Sequence, residues 1–251
     1  MEMIEHPPLL HLPSVPDHIL YTWIVMAILA VVAILATRRV SLVPTGTQNF
    51  MELVLEQFVK EMDETVGPEG RPYLPLIMTL GLFILTSNLM GLVPGLIAPT
   101  ANLNTTAACA LIVFVTYHVI GVRKQGFIAY MKHFAGPVPT LLKPLMFVIE
   151  IISHCARPLS LSLRLFGNMM AGHILLAIFF FMMGFDGMLG WALSGTLGGI
   201  VVGAPAAVLM VVFVVGFLLP LKILVAFIQT FIFCKLAMLY IAAAVEEAEH
   251  H

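Results

Sequence analysis

The sequence predicts an all-α integral membrane protein with about five membrane helices, the last two long and steeply tilted, and one further amphipathic helix on the membrane surface. Three observations carry this. Of the 251 residues, 60% are apolar and only 10% are charged, and the mean hydropathy of +1.02 lies outside the range of water-soluble domains. Several apolar runs match or exceed the roughly 20 residues that a helix needs to cross the hydrocarbon. The basic residues gather between particular pairs of these runs, as loops on one side of a membrane do.

The elements follow in order, all within a single membrane domain, 1–251. The amino-terminal stretch before residue 19 lacks Lys and Arg and carries Glu2, Glu5 and Asp17, the wrong charge for a secretory signal, so it is expected to be retained. A first span at 19–37 is closed by Arg38 and Arg39. At 48–63 the residues Phe50, Met51, Val54, Leu55, Phe58 and Met62 recur at helical spacing opposite Glu52, Glu56, Lys60 and Asp63. That pattern fits a helix lying on the membrane or one packing on neighbouring chains. Spans at 73–97 and 104–124 follow, the second closed by Arg123 and Lys124.

Two apolar segments, 141–185 and 205–245, are too long to stand upright. At 1.5 Å per residue, some 40 helical residues reach about 60 Å, twice the hydrocarbon thickness. Each is expected either to break, at Pro158 and Pro220, or to tilt. The Gly-rich connection 186–203 reads as a loop. With the amino terminus outside, Arg38, Arg39, Lys60, Arg71, Arg123, Lys124, Lys132 and Lys143 fall in two inner loops, and five crossings leave the carboxyl terminus in the cytoplasm.

Composition also excludes. The net charge of −2 and the scattered basic residues give no electrostatic case for nucleic acid. Cys109, Cys155 and Cys234 lie in apolar runs without metal-ligand spacing and read as small buried hydrophobes. With neither a GxxxxGK loop nor an HExxH pair, no nucleotide, metal or other cofactor site is expected.

Charges inside hydrocarbon are costly and mark function. Along 141–185, Glu150, Ser153, Arg157, Ser160, Arg164 and Asn168 project within about 80° of one another on a helix, with His154 beside them. One reading has Glu150 and Arg157 neutralise each other at a helix contact. That leaves Arg164 without a carboxylate, because every other Asp and Glu lies outside the apolar runs or at a segment boundary. A guanidinium cannot shed its proton, so a second protein is expected to supply the partner. In the last segment Lys222, Gln229 and Tyr240 share a face. Gln229 also suits a helix-helix hydrogen bond, and Tyr240 an interfacial aromatic.

The stretch Ser160-Leu-Ser-Leu-Arg164-Leu-Phe-Gly-Asn168-Met-Met-Ala-Gly-His173 resembles the subunit a family of bacterial F-type ATP synthases. Gln229-Thr-Phe-Ile-Phe233 and Asn88-Leu-Met-Gly-Leu-Val-Pro94 strengthen the resemblance, which spans the chain from about residue 19 onward. It implies a non-catalytic stator subunit of the Fo sector in the bacterial inner membrane, working in ATP synthesis and hydrogen ion transport. It would form two offset proton half-channels against a rotating ring of c subunits, beside the b-subunit peripheral stalk and membrane lipid.

Carried over, Arg164 matches the family's essential arginine, which faces the rotor carboxylate. Asn168 and Gln229 match its polar neighbours, Glu150 an acid of the cytoplasmic exit, and His173 a position of the outer access path. Lys222 stands where the family commonly has His or an acid, a departure at the outer relay. Asn102, Asn104, Ser160 and His154 are further candidates for channel lining; the two asparagines fit helix caps equally well.

Two other classes remain. A self-contained secondary transporter or channel would be expected to show repeat symmetry and its own paired carboxylates, and the sequence has neither. An intramembrane enzyme would use Glu150 and His154 as metal ligands, but no further ligand cluster accompanies them, and at i, i+4 the pair is expected to hydrogen-bond locally.

Overall fold

The computed structural model describes residues 15–38, 40–41, 43, 46–93, 95–133, 142–184 and 187–246. Glu2, Glu5, Arg39, Pro94, Asp186, the outer limits 141 and 185 of the fourth apolar segment, and the carboxyl-terminal 247–251 lie outside these residues. The fold is all-α, with no strand among the described residues.

Helix α1, Asp17–Thr37, is followed by α2, Thr47–Thr65, and by a 3-10 turn, Pro68–Tyr73, that runs into α3, Leu74–Met90. A second 3-10 turn, Pro99–Ala101, leads to α4, Leu103–Gln125, and α5, Phe127–His133. Then come α6, Lys143–Met183; α7, Met188–Leu193; α8, Ala204–Phe213; and α9, Leu219–Glu246. Five stretches are long and apolar enough to cross a membrane: Asp17–Thr37, Pro68–Met90, Leu103–Gln125, Lys143–Leu193 and Gly199–Val245.

The long segments do not break at their prolines, one of the two outcomes expected of them. Helix α6 runs unbroken for 41 residues through Pro158, so no break occurs there. The last segment answers its prolines by widening. Residues Gly199–Gly203 and Val214–Leu218 are π-helical, immediately ahead of Pro205 and Pro220. A proline removes one backbone donor and crowds the carbonyl four residues earlier. Here those carbonyls belong to Val201 and Gly216, inside the two widened turns, and helix continues past both.

The segment 186–203 is also a correction, because it is not a plain loop. Its described part contains α7, and helix resumes at Leu197. The reason is packing: Gly195, at φ +71°, turns the chain, and Gly203 leaves room for the Trp191 ring, which lies 3.1 Å from where a Cβ would stand.

Helices α3, α4, α6 and α9 form the core through Ile77, Ile84, Val113, Tyr117, Leu161, Leu165, Phe233, Met238 and Ile241. Between lipid-facing helices, association depends on close packing of small residues more than on expulsion of water. A Cβ on Gly81 would lie 2.7 Å from Cys234 Sγ and 2.9 Å from Phe58 Cζ, which places α2 against both α3 and α9. The amphipathic helix therefore rests on its own chain, with Met62 fully buried. Lys235 of α9 reaches the same helix, donating to Glu61 Oε2 at 2.7 Å and Thr65 Oγ1 at 2.8 Å. Cys109 and Cys234 are buried as expected, whereas Cys155 is exposed on α6.

Candidate functional site

The polar seam of α6 straddles the edge of the bundle instead of forming one surface. Leu161, Ser162, Leu165 and Met169 point into the core. Glu150, His154, Arg157, Asn168 and His173 are half-buried, and Ser153, Ser160 and Arg164 face outward. Arg164 is exposed on α6 next to the exposed Leu163, and it has no ion-pair or hydrogen-bond partner among the described residues. Ser160 Oγ donates to the backbone carbonyl of Arg157 at 3.1 Å, a local bond one turn back along the helix.

Glu150 and Arg157 do not pair with each other. Glu150 Oε1 lies 3.2 Å from His154 Nε2, and the other ring nitrogen, Nδ1, lies 3.3 Å from Tyr117 Oη on α4. The Arg157 guanidinium sits over two tyrosine rings, 5.9 Å from the centroid of Tyr117 and 5.4 Å from that of Tyr240. Cation–π contact therefore supplies what a carboxylate was expected to supply. Tyr240, read as an interfacial aromatic, is half-buried in this cluster. Among the described residues no three His, Cys, Asp or Glu converge as metal ligands.

A second polar group assembles toward the other end of the bundle, where α3 ends and α4 begins. A Cβ on Gly91 would stand 2.9 Å from His173 Nε2 and 2.6 Å from the Ala98 side chain. One on Gly172 would stand 2.8 Å from Lys222 Cε. Bare backbone at these two glycines lets α3, α6 and α9 come together around His173 and Lys222. Asn88 accepts from Thr100 Oγ1 at 2.7 Å, with both residues fully buried. Asn102 caps α4 by accepting from the backbone N–H of Asn104 at 2.9 Å, so the structure places these two asparagines as a helix cap.

Several buried polar atoms have no hydrogen-bond partner among the described residues: Ser87 Oγ, Asn88 Nδ2, Asn168 Nδ2, His173 Nε2 and Gln229 Nε2. A buried donor or acceptor left unpaired costs about 1–3 kcal/mol, and in native proteins such groups are normally reached by water or a ligand. Gln229 is thus buried without the helix-helix bond that its amide would satisfy.

Tyr117, His118, Ser87 and Thr100 were not singled out from sequence. The signal was present for the first two: adjacent polar rings at the middle of an otherwise apolar span. Their partners come from another helix and cannot be read from spacing.

The sequence profile of the ATP synthase A chain family matches residues 19–242. Among curated relatives, ATP synthase subunit a of Geobacter sulfurreducens is 48% identical, the match covering 92% of this chain and 89% of that protein. ATP synthase subunit a 2 of Syntrophotalea carbinolica is 50% identical over 92% of this chain and 87% of its own. Subunit a of Trichlorobacter lovleyi is 44% identical over 96% and 92%. With five apolar spans, one of them carrying Arg164, and a match along nearly all of its length, the chain belongs to the ATP synthase A chain family.

Proposed function

We propose that this chain is the stator of an Fo sector, in which Arg164 stands between two offset proton half-channels and faces the ion-carrying carboxylate of each passing c subunit. Family membership supports the coarser part: a non-catalytic, multi-pass subunit of a bacterial proton-translocating ATP synthase, in the inner membrane and associated with other Fo subunits. The finer part rests on one observation. Arg164 is exposed, charged and unpartnered among the described residues, on an otherwise apolar helix face. Such a group does not stay against lipid, so it calls for an anionic partner on another subunit.

The physics of the exchange follows. A rotor carboxylate facing lipid must be neutral, because a bare charge in hydrocarbon is strongly unfavourable. As it passes Arg164, the fixed positive charge favours its ionised form and the proton leaves to one channel. Further rotation requires a proton from the other channel. The field supplies about 2.3 kcal/mol per charge per 100 mV.

In this reading the group formed by His173, Lys222, Asn88 and Thr100 lines the outer access, and the Glu150 cluster lies on the cytoplasmic exit. Asn168 and Gln229 flank the arginine, and their unpaired amides support a hydrated route. The amino terminus is outside, and the carboxyl terminus and the α2 end of the bundle are cytoplasmic. The coupling ion is the proton. Arg164→Ala in inverted membrane vesicles tests it: ATP synthesis is expected to vanish while the ring still assembles. Near-normal synthesis would remove the arginine from the mechanism.

A further inference from the structure

His154 is held at both ring nitrogens by groups on two helices, Glu150 on α6 and Tyr117 on α4. Beside it His118 Nδ1 lies 2.9 Å from the carbonyl oxygen of Phe114. A carbonyl only accepts, so that nitrogen carries the hydrogen and the neutral ring presents Nε2 as an acceptor. The His118 ring lies 5.3 Å from His154, 4.3 Å from Tyr117 and 5.9 Å from Tyr130 of α5, centroid to centroid. Arg157 and Tyr240 hold the Tyr117 ring from the other side, Tyr240 at 5.9 Å. The Tyr117 ring is therefore clamped, with its hydroxyl set against His154 Nδ1, from which it can accept or to which it can donate.

The Glu150–His154–Tyr117 chain has two arrangements in which every bond is satisfied. With Glu150 ionised, His154 donates from Nε2 to the carboxylate and accepts from Tyr117 at Nδ1. With Glu150 protonated, the carboxyl donates to Nε2, and Nδ1–H donates to the tyrosine oxygen. One proton converts the second arrangement into the first. The carboxyl O–H breaks as N–H forms at Nε2, and N–H at Nδ1 breaks as O–H forms on Tyr117. Tyr117 passes its former hydrogen to water. Glu150 has lost one proton and water has gained it, with the histidine and tyrosine unchanged in charge.

We propose that Glu150, His154 and Tyr117 form a proton wire that turns the exit path out of α6 toward water at the α4–α5 corner, beside His118. This rests on the assignment of the Glu150 cluster to the cytoplasmic exit. Among the groups facing His154 are Glu150 and Arg157 on α6 and Tyr117 and His118 on α4. Tyr240 of α9 and Tyr130 of α5 stand behind them.

The test uses the assembled synthase in inverted vesicles, measuring passive proton conduction across a pH series after the catalytic sector is stripped. Tyr117→Phe keeps the ring under Arg157 and removes only the oxygen. It is expected to slow conduction severalfold and to change its pH profile. His154→Leu is expected to slow it by about a hundredfold or more, the range for loss of a positioned proton-transfer group. Unchanged conduction, or an unchanged pH profile, in Tyr117→Phe overturns the wire even if His154→Leu does not assemble. Arg164→Ala run alongside separates the two readings. Synthesis persisting there defeats the half-channel assignment itself, whereas its loss together with normal conduction by Tyr117→Phe defeats the wire alone.

Discussion

Lys222 lies along the backbone of Gly172, so closely that a Cβ at position 172 would stand 2.8 Å from its Cε and 3.3 Å from its Nζ. The next residue, His173, packs against Gly91. The lysine is therefore seated by the lack of a side chain at Gly172, which it touches directly.

Gly172→Ala should push the ammonium group off its seat. The displaced atoms are the far end of a flexible side chain, so the subunit should still assemble. ATP synthesis driven by an imposed proton gradient is expected to fall severalfold, and Lys222→Met is expected to alter its pH dependence. Rates that superimpose on those of the unsubstituted enzyme at every pH would make Lys222 a passive packing residue.

Lys235 joins α9 to α2 through Glu61 and Thr65, with side-chain exposures of 33% for the lysine and 20% for the glutamate. Lys235→Met leaves the half-buried carboxylate without its cation. A cost of about 1–3 kcal/mol is expected, smaller when Glu61→Gln is added, because the double variant strands no charge. Unfolding of the detergent-solubilised subunit provides the comparison. Strictly additive losses would show that the pair is not coupled.

At the surface, Arg71 donates from Nε and Nη2 to the two carboxylate oxygens of Asp63 at 3.0 and 2.8 Å. These hydrogen bonds, with the nearby positive charge, hold the Asp63 carboxyl below its ordinary range. A depressed carboxyl stabilises the fold above its unfolded value and loses that contribution as pH falls through the folded one. Proteolytic nicking at the corner between α2 and α3 should therefore increase on acidification, and Asp63→Asn should flatten that dependence. A cleavage rate with the same pH dependence in both proteins would contradict it.

Much of the membrane architecture was legible because hydropathy and helical period are local properties. A run such as 104–124 and the in-phase order of Glu150, Arg157 and Arg164 need no knowledge of neighbours. Sequence left open whether Pro158 breaks its segment, because local propensity treats a proline as a break, whereas a helix packed along its length through Leu161, Leu165, Met169 and Leu176 tolerates one missing hydrogen bond.

From the amino-acid order alone came the all-α membrane class, the excessive length of the last two apolar segments, and an arginine without a carboxylate of its own. The folded chain decided that His154 reaches Tyr117, that Arg157 rests on tyrosines, that α2 lies on α9, and that Arg164 turns outward while Asn168 is half-buried. The reason is separation along the chain. Glu61 and Lys235 stand 174 residues apart and Tyr117 and His154 37 apart, so their meeting depends on helix packing that no local pattern encodes.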